Sequence, residues 1–265
     1  MAVSVLQVTA GCGGSCSGDA DSPAPKTWLG GPVSVARLSG GDLVTLSVQW
    51  RPGTSLRAHP RLPSRARVVL ARLGADGPDA WVLTIGEGLG AAALTVVSDA
   101  EDRLHVAILV ETEDGPVARI ISVSPRGDVL REVDLGTPGG LRPLALTTTP
   151  GGALLVAGQT ATPLYGTLQS PEARVADGLE GFVGTLSTDP KSADPTWFHL
   201  WDGPKDQRVT ALAALGVGST WWVGDSPPSV GIVQDKGDLI PSVDAQMGRY
   251  PLALEATDDG GAVVE

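Results

Sequence analysis

The sequence predicts an all-β fold, a β-propeller of five four-stranded blades in which the first and last segments of the chain share one blade. Three observations predict it. An apolar strand, a tight acidic or glycine-rich turn and a second apolar strand recur roughly every 43 to 67 residues, the period of a radial or solenoidal array. Glycine (35) and proline (21) are in excess and no amphipathic helical stripe assembles, as expected where many short turns interrupt sheets. The chain also ends in half a unit and begins with what reads as the missing half.

The units follow in order. The first, residues 32–88, reads GPVSVARLSGGDLVTLSVQW and then RARVVLARLGADGPDAWVLTIG. The second, 90–137, has four strands in AAALTVVSDAEDRLHVAILVE, PVARIISVSPRGD and VLREVDLG, with a turn within Glu111 to Gly115. The third, 141–204, runs RPLALTTTPGGALLVAGQT and, after a long insertion, EGFVGTLSTDPKSADPTWFHLWDG. The fourth, 207–248, is RVTALAALGVGSTWWVGD with SVGIVQDKGDLIPSVDAQMG. The fifth joins YPLALEATDDGGAVVE, 249–265, to AVSVLQVTAG and APKTWLGG from residues 1–31. Pairing head with tail removes two exposed sheet edges. One domain over 1–265 suits an all-β chain of this length. The rival count places a further blade in the irregular stretches 53–64 and 163–178, but these are too rich in Pro, Arg and Gly to read as strands.

Two units carry a family signature. Gly181, Phe182, Val183 and Leu186, then Trp197, Gly203, Asp206 and Ala211 to Ala214, form one copy; Val69 to Leu73, Asp76, Gly77, Trp81 and Gly86 form another. This pattern resembles the bacterial SBBP-type propeller repeat. Leu130 and an aliphatic residue near Leu239 stand where the other units would carry Trp, and the family's name implies seven blades where five are counted here. The resemblance implies the fold and a cell-surface, secreted or periplasmic setting, a cytoplasmic one remaining open.

Composition narrows the partners. A net charge of −11 repels phosphate backbones, so nucleic acid is not an expected partner. Cys12 and Cys16 cannot build a disulfide framework. No apolar run approaches the length of a transmembrane helix, and the first eleven residues carry neither a basic region nor the full apolar core of a secretory signal. Thr9-Ala10-Gly11-Cys12 resembles the end of a lipobox, with Thr9 where an aliphatic residue is usual.

Motifs that imitate chemistry have structural readings beside them. Gly88 to Ala93 has the form of a dinucleotide fingerprint, but the Leu94-Thr95-Val96-Val97 that follows is a strand, not the helix whose N-terminus would hold the phosphates. Gly14-Ser15-Cys16-Ser17-Gly18 lacks the strand-turn-helix context of a nucleophile elbow. His105 and His199 alternate within strands and read as packed or edge residues. The acidic clusters Ser98 to Asp102, Glu111 to Asp114 and Asp258 to Gly260 lack the ligand order of a calcium loop and fit hairpin turns. Glycoside hydrolysis needs two carboxylates across one bond, and among the inner strands VSVARL, AALTVV, PLALTT, VTALAAL and PLALEA only Glu255 supplies one. No catalytic residue, metal or cofactor is expected.

Recognition remains. The insertions Gln49 to Arg67 and Gly158 to Glu180 should emerge on one face with the blade-to-blade turns, and long loops on a rigid scaffold carry binding. The first concentrates Arg51, Arg57, Arg61, Arg65, Arg67 and His59 on an acidic protein. The rim should present Arg51, Arg57, His59, Arg61, Tyr165, Trp201, Lys205 and Arg208, with Trp50 and Trp222 either there or between blades. The expected function is a non-enzymatic scaffold for a protein partner or ligand. The alternatives are a carbohydrate-binding cell-surface lipoprotein and a five-bladed protein related to glycoside hydrolases.

Overall fold

The computed structural model describes residues 29–50, 66–74, 81–88, 92–135, 140–149, 152–160, 180–187, 195–201, 209–214, 219–225, 228–234, 239–243, 254–256 and 262–264. Among them there is no helix. Four antiparallel sheets of four strands follow in chain order. The first holds β1 (Leu29–Arg37), β2 (Leu43–Trp50), β3 (Ala66–Leu73) and β4 (Trp81–Gly88). The second holds β5 (Ala92–Ser98), β6 (Leu104–Thr112), β7 (Gly115–Val123) and β8 (Val129–Leu135). The third holds β9 (Leu141–Thr148), β10 (Ala153–Thr160), β11 (Glu180–Ser187) and β12 (Pro195–Trp201), and the fourth β13 (Val209–Ala214), β14 (Ser219–Asp225), β15 (Pro228–Gln234) and β16 (Leu239–Val243). A two-stranded sheet ends the chain: β17 (Leu254–Ala256) and β18 (Ala262–Val264).

Sheets one, two, three and four stack face to face in sequence. Ala36, Val44, Leu46, Val68 and Leu70 of the first meet Val96, Leu104, Val106, Ile108 and Ile121 of the second in one apolar layer. Ala107, Leu109 and Ile120 on the opposite face of the second sheet meet Leu146, Leu154, Val156 and Phe182 of the third. Leu155, Ala157 and Val183, facing the other way, meet Val209 and Leu212 of the fourth. Alternate residues of a strand point to opposite faces, so a strand covered on both sides reads as a continuous apolar run. That accounts for LHVAIL in β6, buried from Leu104 through Leu109, whereas β8 at the outer edge alternates as VLREVDL.

The first strands of successive sheets stand side by side with a common sense. Ser98 Oγ donates to the Arg37 carbonyl at 2.8 Å, Thr148 Oγ1 donates to the Ser98 carbonyl at 3.1 Å, and Ser34 Oγ accepts from the Val96 amide at 3.1 Å. The hydroxyl that ends one inner strand therefore engages the carbonyl that ends the strand before it. β17 stands next to β13 and continues the order. Stacked four-stranded meanders with their first strands innermost are a β-propeller.

One boundary differs from expectation. Leu29 to Gly31, assigned above to the closing blade, begin β1, where Leu29 pairs with Trp50 and Gly30 with Gln49. The cause is steric: a Cβ on Gly30 would lie 2.1 Å from the Val48 carbonyl oxygen, so glycine alone lets the two backbones run together to the end of β2. The segments Val3 to Val8, 53–64 and 163–178 lie outside the described residues.

Four turns share one geometry. In Leu38–Asp42, Asp99–Arg103, Ser124–Asp128 and Thr149–Ala153 the first amide bonds the fifth carbonyl and the fourth amide bonds the first carbonyl. Such three-residue hairpin loops put their fourth residue in the left-handed region, occupied here by Gly41, Gly127, Gly152 and, as the exception, Asp102 at φ 58°. Asp102 uses that position to reach the first sheet, accepting from the Ser39 amide at 2.7 Å and the Ser39 hydroxyl at 2.5 Å. Asp102→Ala keeps the unfavourable backbone and loses the clasp, whereas Asp102→Gly loses only the clasp. The alanine variant is therefore expected to be the less stable by about 1 kcal/mol, read from paired urea titrations.

The repeat tryptophan has a role on the same face. Trp81 Nε1 donates to the Pro125 carbonyl at 3.0 Å, and its ring lies against Gly127, where a Cβ would come within 3.1 Å. Arg72 donates to that carbonyl at 2.9 Å and to Asp42 at 2.6 Å.

Candidate functional site

Because the first strands run in a common sense, every second strand ends on the face where the first strands begin. Sheets two and four turn there at once: Thr112 pairs with Gly115 across Glu113-Asp114, and Asp225 pairs with Pro228. In sheets one and three, 15 and 19 residues (51–65 and 161–179) instead separate the second strand from the third. Long and short connections thus alternate along one face.

Both long connections are anchored at their bases. Gln49 pairs with Arg67 and Trp50 with Ala66, and Arg67 Nε donates to Gln49 Oε1 at 2.8 Å across the mouth of the first. Thr160 pairs with Glu180 at the mouth of the second, and the buried Thr160 hydroxyl donates 2.8 Å to the Gly140 carbonyl in the connection between sheets two and three. Glu180 is itself buried. The scaffold under the connections is fixed where it meets them.

Of the predicted rim residues, Trp50 ends β2 and Trp201 ends β12, where it pairs with Gly181. A fourth strand runs in the sense of a second strand, so both positions reach the expected face. Arg51, Arg57, His59, Arg61, Tyr165, Lys205 and Arg208 lie outside the described residues. Trp222 sits mid-strand, paired with Leu212 and Gly231.

The opposite face holds the most chemically suggestive constellation, one that sequence reasoning did not assemble. His105 on β6 lies 3.0 Å through Nε2 from Asp99 Oδ2 and 3.0 Å through Nδ1 from Ser122 Oγ on β7. A carboxylate only accepts, so Nε2 carries the proton and Nδ1 accepts from the Ser122 hydroxyl. Asp99 also accepts from Arg103 Nε at 2.7 Å and from the amides of Glu101 and Arg103. Burial alone would raise the Asp99 carboxyl, but the hydrogen bonds from His105 and Arg103 outweigh it and hold the group below its ordinary range. Burial depresses the His105 imidazole below its usual value, against the opposing pull of Asp99.

The residue types are those of a hydrolytic triad, but the arrangement is closed. Asp99, His105 and Ser122 are 7%, 1% and 9% exposed, so no substrate carbonyl reaches the hydroxyl. These groups brace the turn of the second sheet. His105 is packed, one of the two readings its place within a strand allows; its partners were hidden because a turn aspartate and a strand serine carry no mutual spacing signal.

Other motifs resolve similarly. β5 opens four residues beyond the end of β4, so a strand follows the Gly88 to Ala93 motif. The clusters at 98–102 and 111–114 form hairpin turns, with Glu113 and Asp114 at the bend. Among the described residues no group of three or more His, Cys, Asp or Glu is placed to hold a metal ion. Along the innermost strands β1, β5, β9, β13 and β17, Glu255 is the single carboxylate. Among the described residues no helix is long and apolar enough to cross a membrane.

No family model and no curated protein matches the chain. Among solved structures it is similar to an α-L-arabinanase of Penicillium chrysogenum complexed with arabinobiose, at TM-score 0.53 and 15% identity over 92% of this chain and 76% of that one. It is also similar to virginiamycin B lyase of Staphylococcus aureus (TM-score 0.49, 13% identity, 83% and 72% covered) and to the Cps50 (Swd1) β-propeller domain of Myceliophteria thermophila (0.47, 11%, 87% and 81%). At these identities the first likeness is one of fold, and it agrees with the stacked four-stranded sheets.

Proposed function

We propose that this chain is a non-enzymatic β-propeller of five blades, the last completed by the N-terminal segment, and that it recognises a protein partner through the face carrying residues 51–65 and 161–179. The observation that carries this reading is the alternation of long and short connections along that face, with the bases of the long ones locked by Gln49 with Arg67 and by Thr160 with Gly140. Connections of unequal length on a fixed base suit one protein partner better than a set of equivalent sugar pockets. The cationic composition of 51–65, with Arg51, Arg57 and Arg61 beside His59, favours an acidic partner face. The lone carboxylate of the inner strands supports the non-enzymatic part, since hydrolysis between two carboxylates needs a pair.

The test replaces 51–65 by a two-residue Asn-Gly turn and compares capture of partners from the native host. Binding at least about tenfold weaker is expected. An unchanged set of captured proteins would place the working surface elsewhere, and release of sugar from an aryl glycoside by the intact protein would replace this reading with an enzymatic one.

A further inference from the structure

We propose that the free edge of β4 is a self-association surface, on which β4 of a second copy of this chain pairs antiparallel about a two-fold axis. Among the described residues β4, β8, β12 and β16 end their four-stranded sheets on the outer side. An outer strand shows unpaired amides and carbonyls and invites a further strand unless charge, proline or shortness guards it. Three of the four are guarded. β8 carries Arg131, Glu132 and Asp134, the last two ion-paired with Arg119 on the neighbouring strand. β12 opens on Pro195, and β16 is 5 residues long with Pro241 inside it. β4 is 8 residues long, has no proline and meets its first charge at Glu87. Its register with β3 is unbroken from Trp81 to Thr84, ahead of a bulge at Ile85. On that flat, chargeless stretch Val82 is 74% exposed and Thr84, two residues on and so on the same side, is exposed as well.

The occupant follows from symmetry and charge. A two-fold axis perpendicular to a sheet turns a strand into its own antiparallel neighbour, so one edge serves both copies and the contact closes on itself. Centred on Leu83, it sets Val82 of each copy opposite Thr84 of the other, two β-branched pairs on one face with no charge among them. The two ends of β4 differ in sign. Residues 51–65 lead into β3 where Ala66 pairs with Gly88, and they carry Arg51, Arg57, Arg61 and Arg65 close in the chain to Arg67. The connection that enters β4 at its other end carries Asp76 and Asp79. Antiparallel pairing brings the cationic end of one copy to the acidic end of the other, whereas a parallel second copy would set like against like. This local attraction offsets part of the repulsion between two chains of net charge −11. The inference goes beyond the binding reading above and does not depend on it.

Sedimentation velocity on the whole chain tests it. The wild type is expected to pass from monomer to dimer as its concentration rises from about 1 to about 100 µM. Val82→Lys/Thr84→Lys puts two like-charged pairs across the axis and should weaken the dimer at least about tenfold. Val82→Lys/Thr84→Glu, which puts opposite charges across the same axis, should bring the dimer back to within about threefold of the wild type. Both positions are exposed, and a restored dimer shows that the lysine at the first of them leaves the fold intact. A wild type that stays monomeric at about 100 µM overturns the proposal. So does a dimer that survives the double lysine variant, or one that the lysine and glutamate pair fails to restore. Partner capture through 51–65 is a separate readout, so failure of the binding reading leaves this result intact.

Discussion

Phe182→Ala is expected to cost about 3 to 5 kcal/mol and to lower the melting temperature by about 10 °C. Phe182 is fully buried on β11 in the layer between the second and third sheets, among Ala107, Leu109, Leu154, Val156 and Leu186. Removing its ring subtracts the transfer free energy of the lost carbons and leaves a hole that two hydrogen-bonded sheets cannot collapse to fill. Denaturant unfolding should show a lower midpoint with an unchanged slope. A loss below about 1 kcal/mol would mean that the layer is not packed as described.

Asp99→Ala is expected to cost about 3 kcal/mol or more, because it strands several groups at once. The His105 Nε2–H, the Arg103 Nε–H and the amides of Glu101 and Arg103 all lose their acceptor, and a buried group left without its partner costs more than the bond contributes net. Asp99→Asn should be milder. The amide can donate to Nε2 if the imidazole moves its proton to Nδ1 and donates to Ser122, but Arg103 Nε, which shares Oδ2 with His105, then loses its acceptor together with the carboxylate charge.

The same brace gives the fold a signed dependence on pH. The folded His105 imidazole lies below its ordinary value of 6.5, so the unfolded chain binds its proton first. The contribution of this group is complete above 6.5 and is lost as pH falls from there through the folded value. The Asp99 carboxyl lies below 3.8, so its contribution is present above that value and disappears at still lower pH. Stability of the wild type minus that of His105→Gln, measured from pH 8 to pH 5, should therefore decline toward acid. A flat difference would show that His105 protonates as easily in the folded chain as in the unfolded one.

How much of this was legible in the sequence depends on the range of the interaction. The hairpin turns were, because a three-residue loop needs a left-handed residue and Gly41, Gly127 and Gly152 announce it locally. Asp102 in the equivalent place was not, since its justification is Ser39, in another sheet. The strands were legible from apolar runs and alternation, yet that pattern starts the first unit only at residue 32, because the pairing of Gly30 with Gln49 rests on a close backbone approach that no hydropathy pattern records. The candidate face was legible as loop length: the insertions after β2 and β10 stand out as breaks in the repeat. Its locked bases were not, since the bond from Thr160 to Gly140 and the pair of Gln49 with Arg67 need the register.

The amino-acid sequence by itself determined the all-β class, the order of the four-stranded units and the positions of the two long connections, because each of these is written in periodicity and turn chemistry over a few residues. Only the tertiary structure decided that the first strands stand side by side, that Asp99, His105 and Ser122 close on one another rather than on a substrate, and that the second sheet is covered on both of its faces. The physical reason is that these depend on which faces meet across tens of residues of chain, and a side chain's partners there are set by stacking and register, which no local pattern encodes.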